Sequence, residues 1–457
     1  MRKLVFGINY RKAQILSLEN QNNIDRSYST YISKGFTYYY NWFDFAGKYN
    51  TAIWDSMLEA SNLFLESENK MDWRKTSKKL RLNFDLALRK RLNSEDVTSS
   101  LSKSVDSWLD VLQLMDYNKQ FNPSYFISVL SRFFYPLRHN EFRTPSEIIN
   151  LDGEIILHHY TPEGNKKYKT PILFVYSLIN RYYILDLMPD VSVINNLKKQ
   201  GFDVYAISWS TPDYYKESST LENFSYHYLN DAVDKIKKIT DSEKVSLFGY
   251  CWGGIFSLVY SAIHPEKVKN LVLQSTPVDL SDGGGLVDNW TANLNTDKLV
   301  DTLGNIPGGF VNLAFILRNP FELFLKYSTI LDGGKTLNDL LQFFWIETWL
   351  YDSKPIIGEA YREIIKQIYH ENNLMKNKMK VGKRIIDLSK ITLPVLNIVG
   401  SKDDLVPPQT SKSITSVLGN KQDKLIEFPT GHVGLCISQK AHDQLWPEVG
   451  KWLAQRS

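Results

Sequence analysis

One short stretch, residues 245–254, constrains the fold of this chain more than any other. It opens with mostly apolar residues, Val245 to Phe248, which predict a short buried strand. A tight Gly-Tyr-Cys-Trp-Gly turn follows, and the apolar run Ile255–Ala262 has helix-compatible spacing. Glycine lets the backbone turn sharply and lets a strand and a helix approach closely. The sequence therefore predicts strand, turn and helix, with Cys251 exposed at the turn as in a nucleophile elbow.

Cys251 stands where most elbows of this kind carry serine. A lone cysteine is usually a small buried hydrophobe, but here the thiol is predicted at a helix N-terminus, whose positive end favours a thiolate. The second of the two cysteines, Cys436, is predicted to be packing. Two distant cysteines exclude a disulfide framework, fit a reducing compartment and lack the paired spacing of a zinc site.

The middle and the end of the chain alternate between strand-like and helix-like segments. Further predicted strands cover 154–160, 171–176, 203–208, 270–274, 393–400 and 424–428, and predicted helices cover 191–200, 221–238 and 441–453. Alternation at this spacing predicts a mostly parallel sheet with helices on both faces, which is an α/β fold.

The pattern divides the chain into four parts. Residues 1–135 are predicted to be a mainly helical N-terminal region, 136–280 and 389–457 the two parts of the α/β core, and 281–388 an inserted cap. Between Arg74 and Arg91 lie eight basic residues and one acidic residue. This stretch is either a solvated helix face or a docking surface for a phosphorylated ligand, a granule or a partner.

Composition excludes several function classes. The chain is 43% hydrophobic and 23% charged with a net charge of +4, so it is an ordinary globular protein with no electrostatic signature of nucleic-acid binding. Neither a signal peptide nor an apolar run of about 18 residues occurs, so no spanning helix is expected. Dinucleotide and phosphate-loop motifs are also missing.

Two later loops supply partners for the Cys251 thiol. Asp403 and Asp404 come just after one predicted strand, and His432 comes just after the last. Alone, each has an ordinary explanation as a solvated turn residue or a loop histidine. Together they give the order nucleophile, acid, histidine of the α/β-hydrolase fold, on strand-end loops where open α/β sheets place their sites.

Four blocks of the chain resemble the polyhydroxyalkanoate (polyester) synthases, over about residues 140–457. The blocks are the cysteine elbow 249–254, the segment 177–187, the strand and turn 203–212, and the histidine loop 428–434. The family usually has Asp-His where this chain has Asp403-Asp404. The resemblance therefore identifies Asp403 as the acid, with Asp404 in place of the flanking histidine.

The resemblance implies polymerisation of (R)-3-hydroxyacyl-coenzyme A with release of coenzyme A. Cys251 would carry the acyl group as a thioester, and His432 would act as the base. Asp403 would orient His432 or act on the hydroxyl directly. The backbone N–H groups of Trp252 and Ile179 would bind the oxyanion. No metal is implied, and no cofactor apart from the coenzyme A of the substrate.

The same resemblance implies partners and a location. They are the growing polyester chain, the surface of a cytoplasmic polyester granule, a possible helper subunit and a second copy of the chain in a homodimer. Two other interpretations stay open at this point. One is a thioesterase or ester hydrolase of the same fold, and the other is a catalytically silent granule-binding scaffold.

Overall fold

The structure is a computed structural model that describes most of the chain from residue 143 onward. The described ranges are 143–151, 155–164, 166–210, 219–281, 288–312 without 289, 290 and 293, 337–419, and 423–457. Isolated residues between 37 and 110 are also described, and all of these except Ser94 are helical. Most of the predicted helical region 1–135, and the basic stretch apart from Arg91, lie outside the described residues.

Eight strands form one mixed sheet in the order β1-β2-β4-β3-β5-β6-β9-β10. They are β1 (Glu147–Leu151), β2 (Ile155–Tyr160), β3 (Ile172–Val175), β4 (Val204–Trp209), β5 (Val245–Tyr250), β6 (Val268–Gln274), β9 (Val395–Gly400) and β10 (Lys424–Phe428). The hairpin of β7 (Lys380–Val381) and β8 (Arg384–Ile385) stands apart. All neighbours from β4 to β10 are parallel.

Nine α-helices have both ends within the described residues. They are α1 (Val193–Lys199), α2 (Tyr228–Thr240), α3 (Trp252–Ile263), α4 (Thr296–Leu303), α5 (Leu337–Tyr351), α6 (Gly358–Ile364), α7 (Pro408–Lys412), α8 (Gly434–Ile437) and α9 (Trp446–Ala454). Three of the described segments are π-helical. Asn223–His227 precedes α2, Ile365–His370 follows α6, and Ala441–Leu445 precedes α9. In this described part, no helix combines the length and hydropathy that a bilayer crossing requires.

Both faces of the sheet are buried. Alternate strand residues such as Phe174, Phe248 and Ile398 belong to one apolar cluster with α1 and α9. The intervening residues, such as Leu247 and Leu273, are also fully buried, because α3 packs against β5 and β6. Side chains of a strand alternate between faces, so strands covered on both sides read as continuous apolar runs. The predicted α/β fold with a mostly parallel sheet is confirmed.

The N-terminal edge of the sheet differs from the sequence prediction. Strand β1 was not predicted, and both the β1–β2 and β2–β4 pairs are antiparallel. This edge strand carries Glu147 and an Ile148 that is 60% exposed, so it lacks the buried apolar pattern of the central strands. A half-solvated edge strand gives a weak sequence signal, because burial generates the pattern that reveals a strand.

Two glycines allow the turn between β5 and α3. A Cβ on Gly249 would lie 2.4 Å from the Cα of Gly254, and a Cβ on Gly253 would lie 1.9 Å from the carbonyl oxygen of Val175 on β3. Both obstacles are backbone atoms, which cannot move aside. The helix can therefore start directly above the sheet only when these positions carry no side chain.

The Gly253→Ala variant is expected to lose about 3 kcal/mol of unfolding free energy, since overpacking against fixed backbone forces the strand and helix apart. Urea unfolding followed by circular dichroism measures the change. Gly431→Ala is the matched control, because its Cβ would lie 3.5 Å from the nearest atom, the Lys402 carbonyl oxygen. That control should change stability by no more than about 0.5 kcal/mol. Equal losses in the two variants would contradict the packing argument.

Residues of the predicted insertion lie against the loops at the carboxyl ends of the strands. The Trp349 indole N–H donates to the carbonyl oxygen of Arg181 at 2.8 Å, and the Arg181 guanidinium pairs with Asp352 at 2.8 Å. The Tyr183 hydroxyl donates to the same carboxylate at 2.9 Å. These contacts dock the end of α5 onto the segment after β3. Residues 282–287 and 313–336 of this predicted insertion lie outside the described residues.

Candidate active site

The carboxyl ends of five neighbouring strands meet along one edge of the sheet. Strand registers place Val175 beside Gly249, Tyr250 beside Gln274, and Gly400 beside Phe428. Cys251, Asp403 and His432 each follow one of these strands within a few positions. The fold therefore brings together loops that are far apart in the sequence, at the edge where open α/β sheets bind ligands.

Cys251 occupies the turn between β5 and α3. Its φ of 55° and ψ of −124° lie in a region that residues with a side chain rarely adopt. Its N–H donates to the carbonyl oxygen of Gln274 at 2.9 Å, and its own carbonyl oxygen accepts from the N–H of Gly254 at 2.9 Å. These bonds hold the strained turn, and the side chain stays partly exposed. The thiol is thus held out at the start of a helix.

His432 and Asp403 form a short contact at the same edge. The ring Nδ1 lies 2.8 Å from Asp403 Oδ2, and the carboxylate side chain is fully buried while the imidazole is 10% exposed. The other carboxylate oxygen accepts from the N–H groups of Leu405 at 3.1 Å and Val406 at 2.9 Å. With both oxygens engaged, the carboxylate is fixed and so is the ring orientation.

The electrostatics of this pair favour charge on both partners. Burial by itself would lower the pKa of His432, but the charge and hydrogen bond of Asp403, together with the contact to Cys251, raise it to about 10. Burial would likewise raise the pKa of Asp403, yet the His432 charge and the hydrogen bonds it accepts lower it. Opposite charges at hydrogen-bonding distance stabilise each other strongly when both are withdrawn from water.

Asp403, and not Asp404, makes the contact with the imidazole. Asp404 is partly exposed, whereas Asp403 is buried at 4% exposure beneath His432. Cys251 is close enough to the same ring to raise the pKa of His432. The arrangement has the connectivity of a nucleophile, a base and an orienting acid, which is suited to acyl transfer.

Comparison with known proteins places this chain in a family. The alpha/beta hydrolase fold family matches residues 170–436, and the family "Poly-beta-hydroxybutyrate polymerase (PhaC) N-terminus" matches residues 111–197. A protein of Thiocystis violacea named "Poly(3-hydroxyalkanoate) polymerase subunit PhaC" is 38% identical over 316 residues, which are 69% of this chain and 89% of that protein. This chain belongs to the poly(3-hydroxyalkanoate) polymerase family. The resemblance seen in the sequence is thereby confirmed.

Other polymerases with the same printed name are similarly related. The Synechocystis protein is 37% identical over 323 residues, covering 68% of this chain and 85% of that protein. The Haloferax mediterranei protein is 36% identical over 318 residues, covering 69% of this chain and 65% of that protein. The match thus spans most of the Synechocystis polymerase but less than two thirds of the Haloferax one.

The two predicted oxyanion donors of this polymerase differ in their surroundings. Trp252 is the first residue of α3, where a backbone N–H has no partner within the helix. The N–H of Ile179 instead donates to the Ser177 hydroxyl at 3.1 Å. Ile179 would have to exchange this partner before it could bind a substrate oxygen. Both assignments stay predictions.

Sequence reasoning missed several contacts on the histidine loop of the polymerase and on the short helix that follows it. The Tyr250 hydroxyl donates to the carbonyl oxygen of His432 at 3.3 Å, and the two rings lie 5.0 Å apart. The Gln274 amide donates to the Cys436 sulfur at 3.2 Å. Burial raises the pKa of Cys436 to about 12, so this thiol stays protonated, as expected of a packing residue. No sequence signal distinguishes these residues, because each acts through a fold-dependent contact.

Proposed function

We propose that this polymerase joins (R)-3-hydroxyacyl units from their coenzyme A thioesters into a polyester and releases coenzyme A. Membership of the family supports the activity. The observation that carries the mechanism is the placement of Cys251 at the elbow, next to the His432–Asp403 pair with its 2.8 Å contact. A thiolate, an imidazolium and a buried carboxylate are the groups that an acyl transfer through a covalent intermediate requires.

The first half-reaction loads the enzyme. The Cys251 thiolate attacks the thioester carbonyl carbon, and a tetrahedral oxyanion forms next to the N–H of Trp252. The bond from carbon to the coenzyme A sulfur breaks, and the His432 imidazolium gives its proton to the departing thiolate. One thioester replaces another, so the step is close to neutral in free energy. Loss of one oxyanion donor typically raises such a barrier by about 2.7–4 kcal/mol.

The second half-reaction extends the chain. Neutral His432 takes the proton from the hydroxyl of a second acyl unit, whose oxygen attacks the carbonyl carbon held on Cys251. An ester bond forms, the carbon–sulfur bond breaks, and the thiolate returns beside the imidazolium. Asp403 keeps the ring oriented throughout, since its contact with Nδ1 leaves the other nitrogen for the reaction. A direct action of Asp403 on the hydroxyl is the alternative proton route.

The cap supports transfer to a hydroxyl over transfer to water. Trp252, directly after the nucleophile, is 2% exposed because the segment around α6 covers it. An enzyme thioester that met bulk water would hydrolyse. Covering the elbow with aromatic residues lowers its exposure to water, and opening of the cap would admit substrate.

Partners and location extend the proposal. The relatives carry "subunit" in their printed names, which supports a helper subunit for this chain as well. The product is an insoluble polyester, so the enzyme is proposed to work in the cytoplasm at the surface of a granule, as a homodimer. No cofactor is proposed beyond the coenzyme A of the substrate.

The test is to incubate the purified full chain with (R)-3-hydroxybutyryl-coenzyme A and to follow free thiol and products together. Release of coenzyme A with formation of insoluble polymer is the expected result. A thioesterase of the same fold would instead release one free 3-hydroxybutyrate for each coenzyme A, and that stoichiometry would refute the polymerase proposal. A scaffold protein would release neither product.

A further inference from the structure

A tyrosine from the cap lies against the nucleophile elbow. Tyr369 belongs to the segment Ile365–His370, which directly continues α6. Its hydroxyl oxygen lies 3.1 Å from the indole nitrogen of Trp252, the residue after Cys251. Both Tyr369 and Cys251 are partly exposed, as groups that meet a substrate must be. The cap therefore places a phenol beside the site of acyl transfer.

The hydrogen-bond pattern leaves the phenol proton available. An indole N–H can only donate, so Tyr369 Oη accepts from Trp252. Among the described residues, no group is seen to accept the proton of Tyr369 in return. A phenol that accepts from a neighbour and has its own proton free is arranged to donate to a ligand.

The hydroxyl of Tyr369 stays protonated near the Cys251 nucleophile. Burial, and then the charge of Cys251, raise the pKa of Tyr369 well above its ordinary value, against a smaller opposing effect of the Trp252 hydrogen bond. The group is therefore a neutral donor across the working pH range. A neutral donor in such a place stabilises negative charge that develops next to it, at no cost of reorganisation.

Two backbone N–H groups were predicted to bind the oxyanion, but one of them already has a hydrogen-bond partner. The Trp252 N–H is free of helical partners, but the Ile179 N–H is already bonded to the Ser177 hydroxyl. On the proposed function, we infer that Tyr369 is a catalytic residue. Its hydroxyl donates a hydrogen bond to the carbonyl oxygen of the acyl thioester at Cys251, and this bond strengthens as that oxygen becomes the oxyanion.

Trp252 then has two roles in one residue. Its backbone N–H is one donor to the oxyanion, and its indole N–H holds the second donor, Tyr369, in place. Tyr361 on α6 is a second tyrosine next to Trp252 and can be compared with Tyr369. Its ring centroid lies 6.2 Å from that of Trp252. Its hydroxyl makes no hydrogen bond to the indole nitrogen, which is directed at Tyr369.

The test compares Tyr369→Phe with Tyr361→Phe in the full chain. Both variants keep the ring and lose one hydroxyl. Single-turnover release of coenzyme A from (R)-3-hydroxybutyryl-coenzyme A should be slowed about 100-fold in Tyr369→Phe, with KM changed by less than about threefold. Tyr361→Phe should stay within about threefold of wild type. Melting temperatures of the two variants should agree, which excludes a folding defect.

Butyryl-coenzyme A, which lacks the 3-hydroxyl group, identifies the oxygen concerned. If Tyr369 acts on the carbonyl oxygen, Tyr369→Phe slows loading from both substrates by the same factor. A defect confined to the hydroxylated substrate would overturn the assignment, as would wild-type rates in Tyr369→Phe or equal defects in both variants. The loading step is shared by polymerase and hydrolase, so product analysis of the wild type tests the proposed function separately.

Discussion

Replacement of Cys251 with alanine is expected to lower the rate of coenzyme A release by about 10⁴-fold or more, because no other group at the elbow can carry the acyl chain. The backbone of the turn should survive the change. Its strained conformation is held by the hydrogen bonds of residue 251 to Gln274 and Gly254, which are made by main-chain atoms. The variant should therefore fold and bind substrate without reacting.

Cys436→Ala is the matched control, since it removes the only other thiol of the chain. Cys436 is fully buried and protonated, so this variant should lose some stability but keep its activity within about threefold. Substrate with a radiolabelled acyl group should leave label on the wild type and on Cys436→Ala, but not on Cys251→Ala. Label retained by Cys251→Ala would place the nucleophile elsewhere.

Asp403→Asn is the second substitution expected to have a large effect, with kcat lowered about 10⁴-fold. An amide keeps the shape of the side chain but removes its charge, so the histidine ring loses the partner that sets its tautomer and stabilises its protonated form. Asp404→Asn, one residue away and partly exposed, is the control and should remain within about threefold of wild type. Equal losses would show that the assignment to Asp403 is wrong.

The same variant makes a prediction about pH. Burial lowers the pKa of His432, but Asp403 and, to a smaller extent, Cys251 raise it to about 10, so the wild-type ring should stay protonated through neutral pH in a ring ¹⁵N titration. In Asp403→Asn the ring should lose its proton at a markedly lower pH, because only Cys251 then opposes the effect of burial. A titration curve that is unchanged by the substitution would refute the coupling of the two groups.

The pKa shifts of His432 and Asp403 also determine how the free energy of unfolding changes with pH. The folded pKa of His432 lies above its unfolded value of about 6.5, so its contribution to stability is complete below that pH and is lost as pH rises through about 10. The folded pKa of Asp403 is lowered, so its contribution is present above about 3.9 and is lost as pH falls through the folded value. Urea unfolding at pH 7 and at pH 10.5 should show the difference between wild type and Asp403→Asn shrinking at the higher pH.

The sequence predicts the centre of this fold well for a physical reason. Strand β10 has the predicted bounds of Lys424 to Phe428, and the elbow strand extends only two residues beyond its predicted end, to Tyr250. These strands are buried on one or both faces, so local apolar runs report them directly. The loops with Asp403 and His432 follow from the strand ends, and their order along the chain indicates that they meet.

The parts that the sequence did not reveal depend on contacts between distant segments. The approach of Tyr369 to Trp252 is set by how the cap docks, and no periodicity in residues 365–370 signals it. The bond from the Ile179 N–H to Ser177 is local, but it exists only in the backbone conformation that the loop adopts after β3. The tryptophan next to the nucleophile was predicted as a backbone donor, and its side-chain contact was not anticipated.

The topology of the sheet also bears on the protein while it is being synthesised. Cys251 follows β5, but its acid and base follow β9 and β10, which join the sheet beyond β6 and are made only after the cap. A ribosome-bound chain that ends before β9 thus presents a thiol without its histidine. Acyl loading has to wait until the last two parallel strands have paired, so an unfinished chain cannot begin a polymer that it is unable to extend.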